Sequence, residues 1–210
     1  FGFSLIHRSR NGVKLTEEGK SMLISMRRVL LADELLHQEA ANILGVTKGK
    51  VRIGLISSIS TKWMPNLIQI MEKSYPGITI ELREGDYYEI EQWLINGEID
   101  CGFLNRTNSK QFNFMPLKRD PLLCVVSKKS KLYEKEAIDI KDIEDEPIIM
   151  PSYKGTNDVL MLFEQYNVKP HIRFELFDEI GILSMVHHEL GISILPHLGI
   201  TQLPKNVRVV

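Results

Sequence analysis

One helical pattern, running from Thr16 to Leu44, limits what this chain can fold into. Thr16 is a good N-cap, Glu17 and Glu18 suit the positive end of a helix dipole, and Gly45 is a stop signal. Within the pattern Met22, Met26, Val29, Leu36, Ala40 and Ile43 recur at four- and three-residue steps, and Asp33 takes the one polar place in the series. That spacing lays an apolar seam along one side of the helix. Leu23, Leu30, Leu31 and Leu35 widen it beyond what one partner helix covers. The helix is also longer than most that pack inside a single domain. It is expected to dimerise, with Asp33 either disfavouring other registers or reaching solvent.

Before the helix, residues 1–15 read as two short strands around Asn11-Gly12, a pair that tolerates the positive φ of a tight hairpin. Arg8, Arg10 and Lys14 have no acid nearby until Glu17. They form either a solvated basic turn or a wing whose cations meet nucleic-acid phosphates. The chain's net charge is −1, so any such contact is local.

After the link at 46–49 the pattern alternates. Val51–Ile56 reads as a strand, Trp63–Tyr75 as a helix, Ile78–Arg83 as a strand, Asp86–Asn96 as a capped helix and Asp100–Leu104 as a strand. Short turns between them imply a parallel sheet covered by helices. Leu122–Val126, Pro147–Met150, Ile172–Leu176 and Ile192–Leu195 continue as strands, with helices at 138–143, through Tyr166, and at Asp178–His188. The second half is therefore expected to repeat the logic of the first. Lys128, Lys129 and Lys131 read as an exposed turn needing no acidic partner, and Gln202–Val210 as too short for a further unit.

Ser57, Ser58, Ser60 and Thr61 fall where the first strand hands over to a helix. Free N–H groups, hydroxyls and a helix dipole there suit a small anion. Other chemistry is sparse. His187 and His188 are adjacent on a helix and point about 100° apart, so they do not chelate together. Cys101 and Cys124 sit in apolar strand contexts and read as small core residues. Two cysteines give no disulfide framework and fit a reducing cytoplasm. No apolar run is long enough to cross a bilayer, and no catalytic triad, carboxylate pair or glycine-rich phosphate loop is legible. No cofactor, metal or enzymatic activity is expected.

Together these segments resemble the LysR-type transcriptional regulators over nearly the whole chain. The start, with Arg8, Leu15, Thr16 and Gly19 in place and Ile6 for the usual phenylalanine, resembles that family's wing. Lys50–Leu55, Pro65 and Tyr75-Pro76 resemble the start of its effector domain; Asn96–Asp100 and Leu190–Pro196 resemble a later turn and strand. Glu189 departs from the usual glycine, which predicts a strained or differently closed turn.

The resemblance implies an α/β fold: a two-lobed effector domain like type 2 periplasmic binding proteins, preceded by a winged-helix remnant and a long linker helix. Its divisions are a wing at 1–15, a linker helix at 16–45, a first lobe at 46–120, and a second lobe with the start of the return crossing at 121–210. The recognition helix is expected to precede this chain, so DNA binding belongs to the full-length protein. The resemblance also implies a small-molecule effector between the lobes, touching Ser57, Ser58, Ile59, Ser60, Asn105, Ser152, Lys154, Thr156, Phe177 and Glu179. Lys154 and Arg106 suit a carboxylate, and Glu179 an additional amino or hydroxyl group, so a carboxylate or amino acid is expected. Asn157 belongs to the same loop. Arg8, Arg10 and Lys14 would touch the DNA backbone, and the seam would hold a homodimer or homotetramer in the cytoplasm, with no membrane partner. Two rivals are a transporter's solute-binding receptor on the same fold, and an enzyme using Cys101 or Cys124.

Overall fold

Thr16 joins the hairpin to the long helix. The computed structural model describes residues 1–10, 12–45, 48–105, 112–154 and 157–210, so Asn11, Arg106 and Thr156 lie outside the described residues. Strand β1 (Ile6–Ser9) pairs antiparallel with β2 (Gly12–Leu15), and α1 spans Glu17–Ile43. Thr16 Oγ1 accepts from the Gly19 N–H at 2.9 Å and donates to the Ser4 carbonyl at 2.7 Å. A Cβ on residue 19 would lie 2.0 Å from the Leu5 carbonyl oxygen, so only glycine lets the helix start this close to the hairpin.

The chain divides into two compact units, Phe1–Ile56 with Trp63–Asn105, and Ser57–Lys62 with Arg106–Val210. In the first, β4 (Ile78–Glu84), β3 (Gly49–Leu55) and β5 (Cys101–Gly102) form a sheet in that order; its strands are parallel, as the alternating pattern predicts. It is accompanied by α3 (Met64–Ser74) and α4 (Tyr87–Ile95), the latter opened by a capping box of Asp86 and Glu89. Among the described residues, Ile53, Leu55, Met64, Ile90 and Ile99 are the buried large apolar side chains of this unit.

Helix α1 lies on its own unit by one side only. At about 100° per residue, Leu23, Arg27, Leu31, Gln38 and Ala41 share a side, and all are partly buried. Val29, Leu36 and Ile43 face the other way and are 69%, 67% and 80% exposed. On the inner side, Arg27 Nη1 donates to Glu98 at 2.7 Å, and Arg52 Nη2 reaches both Glu34 oxygens at 2.8 and 2.9 Å. Asp33 points outward, 3.6 Å from His37.

The second unit departs from the expected repetition. β6 (Leu122–Ser127) lies between β10 (Val207–Val209) and β9 (Ser193–Pro196), antiparallel to both. β7 (Pro147–Pro151) and β8 (His171–Leu176) are parallel, and an Ile148–Ile192 bridge links the two sets. Cys124 and Val126 face one cluster around Phe163 and Ile148; Val125 faces another around Ile149 and Ile182. With both faces covered, by α5 (Asp158–Gln165) and α6 (Glu179–His187), β6 reads as a continuous apolar run, which hides strand direction in the sequence.

Four further expectations are corrected. The C-terminal segment supplies β10 rather than an incomplete unit. Lys129 and Lys131 pair with Glu189 at 3.0 Å and Glu146 at 2.9 Å. The short helix at 138–143 is a single 3-10 turn, Ile140–Ile143. Cys101 is exposed, because β5 is only two residues long; Cys124 is buried as expected. Glu189 does adopt a left-handed φ of 62°, the strained closure its place predicts.

Burial raises the Glu98 carboxyl, but hydrogen bonds from Arg83 and Arg27 outweigh it and hold the group below its ordinary value. A carboxylate lowered on folding stabilises the fold above its unfolded pKa of about 4.3 and stops doing so as pH falls through the lower folded value. Glu98→Gln should therefore cost about 1 kcal/mol at neutral pH. Urea unfolding of parent and variant should show that gap persisting above about pH 4.3 and closing below it.

Candidate functional site

The serine-rich junction is a helix, not a turn. α2 (Ser57–Lys62) starts two residues after β3 and packs on the 3-10 turn His197–Gly199 that follows β9. Ser57 is exposed, Ser58 and Ile59 are buried, and Ser60 is half-buried. The Ser60 and Thr61 hydroxyls donate back to the Ser57 carbonyl at 2.9 and 3.0 Å, local bonding that a Ser/Thr-rich segment makes readily. Lys62 fastens the helix end: its Nζ donates to the carbonyls of His197 at 3.1 Å and Ile200 at 2.9 Å.

The same 3-10 turn touches the start of α6. A Cβ on Gly199 would lie 3.3 Å from Glu179 Cγ, so the bare backbone there seats that side chain. Tyr153 Oη donates to Glu179 Oε1 at 3.2 Å, and the Tyr153 ring meets the exposed Phe177 edge-on at 6.1 Å. Ser152 is held through its N–H on the Leu176 carbonyl at 2.8 Å, and Lys154 is exposed beside it. The second unit thus gathers 57–60, 152–154, 177 and 179 into one contiguous region.

Not every expected residue joins it. Asn105 belongs to the first unit, and Thr156 and Arg106 lie outside the described residues. Asn157 caps α5, its Oδ1 accepting from Val159 and Leu160 at 3.0 and 3.3 Å. Tyr153, Lys62 and the 197–200 backbone were not legible as site members. A cation closing a six-residue hydroxyl segment is the one sequence signal that points to Lys62. The region presents hydroxyls, a phenol–carboxylate pair and an aromatic edge, which can hydrogen-bond and stack on a small polar molecule. A separate open concavity of about 550 Å³ lies against α5, lined by Leu122, Asp158, Met161, Leu162, Glu164 and Gln165. It contains none of the expected residues.

In the hairpin the register places Arg8 opposite Val13 and His7 opposite Lys14. Arg8 therefore shares a face with Ile6, Val13 and Leu15, and Lys14 lies on the other face with His7. Both cations and Arg10 are exposed. Along α1, Met22 and Met26 are half-buried, whereas Val29, Leu36, Ala40 and Ile43 are exposed.

Residues 45–210 match the sequence profile of the LysR substrate binding domain. The HTH-type transcriptional regulator YvbU of Bacillus subtilis (strain 168) is 31% identical over 206 residues, covering 98% of this chain and 70% of that protein. The chain belongs to the LysR family of transcriptional regulators. Among solved LysR-like structures, the effector binding domain of QuiR in complex with shikimate is 26% identical. It covers 78% of this chain and 80% of its own, with a TM-score of 0.65. The BenM effector binding domain with its effector benzoate is 25% identical, covers 77% and 76%, and has a TM-score of 0.67. The LysR-like stretch Leu190–Pro196 forms β9 and its lead-in, with Gly191 so close to the Pro147 carbonyl that a Cβ would lie 2.4 Å from its oxygen.

Among the described residues, no group of three or more His, Cys, Asp or Glu could hold a metal ion. His187 Nδ1 instead meets the Asn206 side chain, and His188 Nδ1 meets the Ser184 carbonyl at 2.8 Å. Burial, and secondarily Glu146, pushes the Cys124 thiol up to about 12; burial and Asp100 raise Cys101 as well. The thiolate is the reactive form. A maleimide at mildly alkaline pH should therefore modify the native chain once, slowly, at exposed Cys101. Mass spectrometry should find Cys124 modified only after denaturant is added.

Proposed function

We propose that this chain is the wing, linker helix and effector domain of a cytoplasmic LysR regulator that binds a small carboxylate or amino acid and reports its occupancy to DNA. The observation that carries the reading is the gathering of Ser57–Ser60, Tyr153, Phe177 and Glu179 around the His197–Ile200 turn. Hydroxyls and Lys154 receive the carboxylate, Phe177 and Tyr153 flank the ligand's body, and Glu179 meets an amino or hydroxyl group. The effector domain divides into a first lobe, 46–120, and a second, 121–210, and Asn105 and Thr156 are assigned to the same ligand. Related effector domains hold shikimate and benzoate, both carboxylates, which agrees with this ligand class.

The stripe Val29, Leu36 and Ile43, with Met22, Met26 and Ala40 beside it, is the contact with a second copy. Three large side chains more than two-thirds exposed along one line of a helix are unusual unless covered. Arg8, Arg10 and Lys14 contact the DNA backbone from both faces of the hairpin. Among the described residues no helix is long and apolar enough to cross a membrane. The chain acts by binding, without catalysis, and the ligand shifts its states to a degree set by its preference for one over another.

Two measurements test this. Thermal shift with millimolar benzoate, shikimate and a panel of amino acids should raise the melting temperature for at least one compound, and Glu179→Gln with Lys154→Gln should abolish the shift. A panel with no effect would contradict the ligand class. Sedimentation of Val29→Lys with Leu36→Lys should give a smaller assembly than the parent; an unchanged mass would contradict the seam.

A further inference from the structure

We propose that α1 is fastened to the first unit by a two-point latch, Arg27 on Glu98 and Glu34 on Arg52, which fixes the helix's direction on that unit. The inner and outer sides of α1 carry different chemistry. Outward, Val29, Leu36 and Ile43 are exposed. Inward, the polar contacts fall at Arg27, Glu34 and Gln38, on the half-turned opposite face. A helix seated only by apolar burial would turn its apolar stripe toward the sheet. This one turns Val29, Leu36 and Ile43 away and adds charged contacts to the partly buried Leu23, Leu31 and Ala41 of its inner side.

Both receiving groups are tied into the sheet and its turns. Glu98 follows Gly97, whose left-handed φ of 64° closes α4 and leaves its bare backbone 3.7 Å, measured from a notional Cβ, from Arg27 Cβ. Glu98 also accepts from Arg83 of β4, and that guanidinium sits 3.9 Å from the Trp93 ring centroid. Arg52 comes from β3. Its N–H donates to Asp100 at 2.6 Å, its Nη1 lies 3.4 Å from Asp100, and its Nε lies 4.0 Å from Glu81. Each point on the unit is therefore held by the sheet before the helix adds its own contact.

Two points two helical turns apart, about 10 Å along the axis, define a line where a single point would allow a pivot. The polarity alternates as well. At the first point α1 supplies the cation, and at the second the anion. A helix seated in the reverse direction would set Arg27 against Arg52 and Glu34 against Glu98, which like-charge repulsion rejects. Gln38 adds a donor toward the Lys50 carbonyl at 3.4 Å, close against Gly49. The partners are only partly buried, so the latch is releasable rather than permanent. A shift of β3, β4 or the turn after α4 would be passed to α1 through these contacts. That use in signalling rests on the regulator reading above; the latch itself does not.

The test is a distance measured by pulsed electron spin resonance on the full 210-residue chain. Spin labels are placed at Asn42→Cys on α1 and Glu72→Cys on α3, in a Cys101→Ser background. Labelled chain is diluted with unlabelled chain so that only intrachain distances register. The parent should give one narrow distribution, and so should a control, Arg28→Glu with Glu39→Arg, which exchanges charges off the latch. Arg27→Glu with Glu34→Arg should at least double the width or shift the mean. The neutral pair Arg27→Gln with Glu34→Gln should broaden it by less, and serves if the reversed pair does not fold. A parent-like distribution in the folded latch variants would overturn the proposal, as would equal broadening in the control. No ligand is present, so a failed thermal-shift panel would sink the effector reading and leave this result standing.

Discussion

Arg52 is the side chain on which the arrangement of the first unit most depends. It leaves the central strand β3 and is engaged by Glu34 from α1, Asp100 from the following turn and Glu81 from β4. The bond to Glu34 raises the guanidinium pKa further and lowers that of the Glu34 carboxyl. Without it, Arg52 would keep Asp100 and Glu81 but have no tie to α1. With it, the inner side of the helix, which also carries the partly buried Leu23, Leu31 and Ala41, is tied to β3 while Val29, Leu36 and Ile43 stay exposed. Charged contacts and the exposed apolar stripe thus lie on opposite faces of one helix.

A second dependence concerns the 197–200 turn. Two backbone carbonyls there receive Lys62, and the bare backbone of Gly199 seats Glu179. Segments far apart in sequence become neighbours because each meets this turn. The grouping of the candidate site is therefore a property of backbone placement in the second unit, while the candidate side chains supply its chemistry.

Much of the fold was legible because the sequence patterns are strong. Thr16 and Asp86 cap the helices expected of them, Asp178 caps the helix expected to begin at it, and Gly45 and Gly97 follow helix ends with left-handed φ. The parallel order of the first sheet followed from alternating strands and helices with short turns. What failed to show was direction and partnership. β6 is apolar on both faces, so nothing in Leu122–Ser127 reveals that both neighbours run against it. Val207–Val209 is too short to announce itself as a strand and is defined by pairing with β6. Hydroxyls favour caps, so Ser57–Thr61 reads only as a strand-to-helix junction; in the structure it is itself a helix with Ser58 and Ile59 buried. The region's hydroxyl and acidic members are visible as residue types, but the partners of Lys62 and Tyr153, His197, Ile200 and Glu179, are distant in sequence and follow from tertiary contacts.

In the regulator proposed above, ligand occupancy in the effector domain changes how the linker helices present the DNA-binding domains of the full-length protein. The most direct measurement is a nuclease footprint with a bending assay, using the full-length regulator on a DNA fragment it binds, with and without a carboxylate that raises its melting temperature. The account predicts a changed footprint length or bend angle on saturation. The same footprint and the same bend in both states would contradict it.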